Sequence, residues 1–454
     1  MTQIQIQIPE KVNKIIRTLA AAGHEAYAVG GCVRDAVLGR EPADWDITTS
    51  ALPMEVKALF GRTIDTGLQH GTVTVMLGHE GFEVTTYRVD GEYEDCRHPK
   101  EVRFTRSLTE DLKRRDFTIN AMAYNEETGL VDAFDGVTDL RKGVIRCVGR
   151  AEERFTEDAL RMLRAIRFSA QLGFVLEEKT RAAITKLCGN LKKVSAERIQ
   201  AELVKLLTSS HPEKLREAWE SGITRVVLPE FDVCMACGQN NPHHIYSVGE
   251  HTLHALEQTE AEKVLRLAVL FHDFGKPQVK TTDAAGIDHF KRHQEVSEEL
   301  AGKILRRLKF DNETTGQVKK LVWCHDYHPA LTPAGVRRAV NRIGEDLFPL
   351  YLKVQLADIL AQNPAMQEPK LQALREVGQL YDRIRQEKEC VTLKQLAVSG
   401  RDLMEAGFAS GPGLGEILQY LLELVLEEPK RNRKDRLLQE ALRKYGTSDS
   451  VRRD

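Results

Sequence analysis

Gly30-Gly31-Cys32-Val33-Arg34-Asp35-Ala36-Val37-Leu38-Gly39-Arg40-Glu41-Pro42-Ala43-Asp44-Trp45-Asp46-Ile47-Thr48-Thr49 is the stretch on which the reading of this chain turns. The β-prone run Tyr27-Ala28-Val29 precedes it, so the paired glycines fall where a strand ends. Glycine allows turn geometry without steric cost and lets backbone N–H groups approach a phosphate closely. Cys32 to Leu38 reads as one or two helical turns that carry Arg34 towards such an anion. After the Pro42 breaker, Asp44-Trp45-Asp46-Ile47 reads as a short strand, on which residues i and i+2 share a face. Asp44 and Asp46 are therefore expected side by side, where two carboxylates repel unless a proton or a cation lies between them. A Mg²⁺ pair beside a phosphate-binding turn suits metal-dependent nucleotidyl transfer.

Working outward, Pro9 to Ala22 has helical apolar spacing through Val12, Ile15, Ile16 and Leu19, and Pro53 to Phe60 reads as a second helix. Thr72 to Leu77 and Gly81 to Tyr87 alternate as strands, which gives a mixed sheet with helices packed on it. Glu83 lies on the second of these strands. It is read either as a third carboxylate of the metal site or as a strand glutamate with its own partners. Arg88 to Arg106 is charged, aperiodic and broken by Gly91 and Pro99, the composition of a loop that carries function.

Downstream comes Glu110-Asp111-Leu112-Lys113-Arg114-Arg115-Asp116-Phe117-Thr118-Ile119-Asn120. Its guanidinium groups suit phosphate oxygens, while Asp116 and Asn120, expected on one helical face at i,i+4, suit ribose hydroxyls. Phe155 to Phe168 reads as one helix with Thr156 as its N-cap. On it Asp158 and Arg161 stand at i,i+3, which reads plainly as an intrahelical ion pair. A second reading uses base chemistry. Cytosine and adenine present an amino donor beside a ring-nitrogen acceptor on their Watson–Crick edges. A carboxylate beside a guanidinium suits that pattern and opposes guanine and uracil. Arg164 and Arg167 follow on the same helix.

These ordered motifs resemble the polymerase β-type nucleotidyltransferases, specifically the class II CCA-adding and bacterial poly(A) polymerase family. The resemblance implies Asp44 and Asp46 as the Mg²⁺ ligands, with Glu83 as candidate third carboxylate. It implies Gly30, Gly31, Arg34, Arg114, Arg115, Asp116, Asn120, Asp158, Arg161 and Arg164 as nucleotide-binding residues. Substrates would be CTP, ATP and a tRNA 3′ end, and pyrophosphate would be released. The loop from Arg88 to Arg106 corresponds to one implicated in the change of specificity from C to A. The helix opened by Ser195 would brace the base-reading region. Phe60 to Thr72 lacks the basic cluster that tends to follow the metal motif in poly(A) polymerases, and the length of the loop argues against CC-only addition. An A-only enzyme stays open.

In the second half, His251, His254, His272-Asp273, His289, His293, His325, His328 and Asp358 recur along apolar, helix-periodic segments. The series resembles the HD phosphohydrolase domain. The resemblance implies His251, His272, Asp273 and Asp358 as core ligands, with His293 and His325 placed to hold a second metal. Imidazole and carboxylate donors suit Mn²⁺, Ni²⁺, Fe²⁺ or Co²⁺ and not a thiolate zinc site, and such metals generate hydroxide for phosphoester hydrolysis. A phosphohydrolase with an RNA-binding head is the rival reading, and it predicts loss of Asp44 or Asp46, both of which are present.

The expected fold is an α+β nucleotidyltransferase head (1–145) followed by all-α regions: a neck (146–215), an HD-type domain (216–370) and a tail (371–454). At 454 residues the chain exceeds one ordinary core. No apolar run reaches membrane-spanning length, and Met1-Thr2-Gln3-Ile4 does not open a signal peptide, so a cytoplasmic protein is expected. The eight cysteines are scattered and read as reduced thiols, and Cys234 and Cys237 alone do not make a zinc site. With a net charge of −2, any nucleic-acid surface must be a local patch. The basic run Lys430 to Arg436 is read either as such a patch or as a solvated helix.

Overall fold

The computed structural model describes residues 4–91 and 102–446. They divide into two compact units: 1–232 with 307–309, and 233–306 with 310–454.

The first unit is built on a seven-stranded mixed sheet with the order β3-β4-β5-β2-β1-β8-β9. Its strands are β1 (Ala26–Val29), β2 (Ile47–Thr49), β3 (Thr63–Gly67), β4 (Thr72–Leu77), β5 (Glu80–Thr86), β8 (Met122–Asn125) and β9 (Gly129–Asp132). Only β2 and β5 run parallel, with Ile47 opposite Val84. The helix α1 (Glu10–Ala21) buries Val12, Ile15, Ile16 and Leu19, the periodic apolar face that the sequence shows. The helices α2 (Gly31–Val37) and α3 (Pro53–Leu59) follow β1 and β2.

Three local expectations are corrected. First, Asp44 and Asp46 precede the strand, which begins at Ile47. β1 ends at Val29, and Gly30 at φ 85° turns that chain into α2, leaving residues 44 and 45 no ladder partner. Only the Asp46 carbonyl is held, accepting from Val29 N at 3.0 Å.

Second, Asp116 and Asn120 share no α-helical face. The helix α4 (Leu108–Lys113) stops early, Phe117 is extended, and Thr118–Asn120 is a single 3₁₀ turn. The backbone around Phe117 bonds instead to Arg146 and Val148. Third, 155–168 is two helices, α6 (Ala151–Glu157) and α7 (Leu160–Leu172). Asp158 breaks the run by accepting Leu160 N at 3.1 Å, the habit of a short carboxylate that competes with helix continuation. Thr156 therefore lies inside α6 and donates to the Glu152 carbonyl at 2.7 Å.

The loop read over 88–106 has paired ends. β6 (Arg88–Asp90) and β7 (Val102–Phe104) form an antiparallel hairpin, and the part of the loop at 92–101 lies outside the described residues. The first unit continues through α5 (Gly136–Lys142), α8 (Glu178–Leu187) and α9 (Ala196–Leu207), with Ser195 at the N-cap of the last.

The second unit is helical apart from one two-stranded ribbon at Thr281–Thr282 and Asp288–His289. Its central helices Val248–Glu257, Lys263–Phe271 and Asn312–Cys324 bury nearly all of their apolar residues, and Phe348–Leu360 buries one face through Phe348, Tyr351, Val354, Ala357 and Ile359. The basic run near the C-terminus spans a 3₁₀ turn and the start of the exposed helix Lys434–Tyr445. Among the described residues no helix is long and apolar enough to cross a membrane.

Candidate active site

The carboxylates of Asp44 and Asp46 both reach solvent beside the turn at Gly30. Although solvent reaches it, Asp46 is partly desolvated by surrounding protein, and this lifts its carboxyl above the ordinary aspartate range. Arg115 opposes the rise and the charge of Asp44 adds to it. A carboxylate pair that resists double ionisation fits a hard, oxygen-preferring divalent cation such as Mg²⁺. Glu83 is exposed and lies one residue before Val84, the partner of Ile47 on β2, so the strand register sets it next to Asp46.

The arginines converge on the same turn. A Cβ placed on Gly30 would stand 3.0 Å from Arg115 Nη1, so the glycine leaves room for that guanidinium. Arg115 Nε is buried and has no hydrogen-bond partner among the described residues. Arg114 donates through Nε and Nη2 to Asp111 Oδ1 at 2.9 and 2.8 Å. Arg34 is more committed than expected. It forks onto Asp35 at 2.9 Å and donates through Nη1 to Asn120 Oδ1 at 2.7 Å.

Asp116 and Asn120 do meet, through Asn120 Nδ2 and Asp116 Oδ1 at 3.2 Å. Burial would raise the Asp116 carboxyl, but the Arg164 guanidinium, donating to Oδ2 from Nε at 2.8 Å, holds it well below the usual range. Arg164 therefore fixes Asp116, and Arg34, Asn120, Asp116 and Arg164 form one continuous polar chain. The Phe168 ring lies beneath it, with the guanidinium carbons of Arg34, Arg164 and Arg167 at 5.1, 5.4 and 3.7 Å from its centroid.

The intrahelical pair expected between Asp158 and Arg161 gives way to other partners. Arg161 donates to Glu157 at 2.9 Å and to the Arg114 carbonyl at 3.1 Å. Asp158 Oδ2 accepts from Arg198 at 2.7 Å. The break between α6 and α7 turns Asp158 out of helical register, which explains why i,i+3 spacing does not produce contact. The two side chains are each held by a third residue and left as separate donor and acceptor. Sequence reading missed Asp111, Glu157 and Arg198. Each stands three or four residues from a quoted residue or on the helix opened by Ser195, which is the available signal.

In the second unit, six residues come together as the spacing requires. His251, His272 and Asp273 form one buried group, and Asp273, His293 and His325 form another, with the donor atoms of each group within 4.8 Å of one another. Asp358 Oδ1 lies 2.9 Å from His251 Nε2 and 3.9 Å from His272 Nε2. Every one of these imidazoles points Nδ1 at a backbone carbonyl: His251 at Ala361, His272 at Val269, His293 at Phe290 and His325 at Val322, at 2.6–3.2 Å. A carbonyl only accepts, so Nδ1 is the donor in each ring and the four Nε2 atoms face inward, where a metal would meet their lone pairs.

Those lone pairs stand 3.3 Å apart between His251 and His272 and 3.0 Å apart between His293 and His325. Burial also pushes His293 down to about 4, which keeps it neutral near pH 7. Facing lone pairs repel, and a divalent cation between them removes the conflict. The donor set fits a divalent transition metal, and Asp273 belongs to both groups that could hold one.

Lys276, also missed, forms an ion pair with Asp273, its Nζ 2.7 Å from Oδ2. A cavity of about 550 Å³ opens onto the cluster and is lined by Lys276, Lys291, Arg292, Lys370 and His328 among others. His254 and His289 instead form surface pairs with Glu257 and Asp283.

The sheet order, the carboxylate pair and the convergent arginines define a nucleotidyltransferase head. A family model described as "Poly A polymerase head domain" matches residues 26–146. A model for the RNA- and SrmB-binding site of polymerase A matches 173–235, and one for tRNA nucleotidyltransferase domain 2 matches 281–441. A CCA-adding enzyme of Lactiplantibacillus plantarum is 36% identical over 445 residues, covering 96% of this chain and 97% of its own. One from Leuconostoc mesenteroides is 53% identical over a shorter 214 residues, 46% of this chain and 53% of its own. The crystal structure of the Bacillus stearothermophilus CCA-adding enzyme in complex with CTP superposes with a TM-score of 0.76 at 29% identity, covering 98% of this chain and all of that one. The chain belongs to the CCA-adding enzyme family of tRNA nucleotidyltransferases.

Proposed function

We propose that this protein adds C, C and A to the 3′ end of tRNA from CTP and ATP without a nucleic-acid template, releasing pyrophosphate. The observation that carries the reading is the conjunction in one unit of Asp44 and Asp46, the Gly30 turn filled by Arg115, and a separately held Asp158 and Arg161. Its similarity to CCA-adding enzymes, one of them bound to CTP, supports the reading. Asp44 and Asp46 would hold Mg²⁺, with Glu83 as the third carboxylate. When bound, the metal would activate the RNA 3′-hydroxyl and offset charge on the triphosphate. Arg114 and Arg115 draw in the triphosphate, and the buried unpartnered Nε of Arg115 is a donor ready for it. Asp116 and Asn120 orient the ribose. Asp158 accepts from the amino group of C or A while Arg161 donates to the ring nitrogen, so both bases are admitted by one pair. The proposed site of action is the cytoplasm, as suits a relative of tRNA-processing enzymes.

The test is extension of a tRNA transcript lacking C-C-A, with Mg²⁺ and CTP, ATP or both. Three added residues only when both nucleotides are present is the expected result. An unlimited A tail would make it a poly(A) polymerase, and growth only on tRNA already ending in C-C would make it an A-adding enzyme.

A second activity is favoured by the four inward Nε2 lone pairs. We propose that His251, His272, Asp273 and Asp358 hold one transition metal and that His293 and His325, with Asp273, hold another. The cavity lining mixes Lys276, Lys291, Arg292 and Lys370 with Asp273, Asp288, Asp326 and Asp358, so the basic groups would meet a phosphoester beside the carboxylates that hold the metals. Release of phosphate from model phosphoesters with Mn²⁺, Ni²⁺ or Co²⁺ tests this. Metal content of one to two equivalents with no hydrolysis would leave a binding site without the activity.

A further inference from the structure

A single buried carboxylate in the head contacts Arg114, Arg115, Thr48 and the backbone of Arg88 at once. Asp111 on α4 is fully buried, and every atom of its side chain that can accept a hydrogen bond faces a functional element. Oδ1 accepts both forks of Arg114, and Oδ2 lies 3.5 Å from Arg115 Nη2. Oδ2 also lies 3.2 Å from Thr48 Oγ1, on the strand that directly follows Asp46, sharing that hydroxyl's one hydrogen with the Thr85 carbonyl at 3.2 Å. Oδ1 is 3.4 Å from Arg88 N, the first residue of the β6–β7 hairpin. Burial works against ionisation, but Arg114 and then Arg115 hold the Asp111 carboxyl below its ordinary range, so it stays charged.

We infer that Asp111 is a positioning residue for the nucleotidyl-transfer site, fixing the Arg114 and Arg115 guanidinium groups in register with the metal-bearing strand. The argument is geometric. Arg115 must reach the Gly30 turn and the neighbourhood of Asp46 at once, and a long flexible side chain does so reproducibly only when a buried anchor sets its stem. The anchor is charged, desolvated and shared by both arginines, so it holds them without filling the place that a triphosphate would take. Thr48 fixes Asp111 in turn, so the metal strand and the phosphate-binding arginines keep one spacing. A site held in this way is pre-organised for its anionic ligand.

This inference rests on the proposed transfer reaction, which wild-type extension of tRNA lacking C-C-A tests separately. Given an active wild type, Asp111→Asn keeps the shape and removes the charge. The expected result is a rise of about tenfold or more in KM for both CTP and ATP, with KM for tRNA unchanged and C and A still selected over U and G. Stabilisation of the melting transition by CTP should shrink in parallel. A merely structural role would lower the active fraction and the melting temperature while leaving KM for nucleotides in the surviving enzyme as in the wild type, and that result overturns the inference. Should Asp111→Asn fail to fold, Thr48→Val decides. A rise of about twofold or more in nucleotide KM at constant tRNA KM upholds the coupling, and unchanged KM values overturn it.

Discussion

The two candidate metal sites of this chain are built on opposite principles. In the first unit Asp44 and Asp46 stand open to solvent, short oxygen donors at the lip of a strand, and the Arg115 guanidinium is close enough to Asp46 to pull its carboxyl down. In the second unit four imidazoles and Asp273 are buried, and each ring is locked by its own backbone carbonyl. The first design leaves coordination positions for water and a triphosphate, as a hard ion that dehydrates reluctantly needs. The second spends its ligands on the protein and suits an ion that binds nitrogen well. On the proposed reading, the first site would share its metal with substrate and the second would hold one as a resident ion.

The largest effects should keep these two sites apart. Asp44→Ala is expected to lower CCA addition by at least about 1,000-fold while the metal content of the second unit is unchanged. Asp273→Asn should do the reverse, removing the ligand common to both groups. Metal analysis after extensive dialysis should fall to background while tRNA extension continues. If either substitution silences both readouts, the separation fails.

How much of this was legible beforehand follows the same divide. The imidazole cluster was visible as a series of His and Asp positions whose grouping the resemblance supplied; His251, His272, Asp273, His293 and His325 do meet, whereas Lys276 beside them went unread. The carboxylate pair was visible too, although its strand was not, since β1 turns away at Gly30 and leaves 44 and 45 unpaired. Hidden were the contacts that depend on a break in regular structure. Asp158 ends α6 and caps α7, so its partner is Arg198, forty residues away, and not Arg161. Phe117 is pulled into a bridge with Cys147, which a helical reading of the same residues misses. Asp111 reads as one more charge on a short helix, and only the tertiary structure shows that it is wholly buried.

The base-reading pair sharpens the comparison on a smaller scale. Arg161→Ala should cut discrimination of C and A against U and G by about 10- to 100-fold, the worth of one good polar contact to a base. Incorporation of single UTP or GTP residues on tRNA ends measures it. Glu157→Gln should give a weaker version of the same defect, because it releases Arg161 from one of its two anchors.

The smallest expected effect concerns how completely the open site neutralises its own charge. Glu83 stands next to Asp46 by strand register, so Glu83→Gln should slow addition about tenfold, near 1.4 kcal/mol, far less than Asp44→Ala. Its signature lies in pH dependence. The Asp46 carboxyl is raised by burial and by Asp44, so the folded state binds its proton more tightly than the unfolded chain does. That contribution to stability is present below the ordinary aspartate value of about 4 and is lost as pH rises through the raised folded value. Without Mg²⁺, melting temperature should therefore fall across this window, and saturating Mg²⁺ should abolish the fall by taking the proton's place. Removing the charge of Glu83 should flatten the Mg²⁺-free slope if it shares the site. An unchanged slope together with unchanged turnover would return Glu83 to an ordinary place on the strand and leave the open site with two carboxylates.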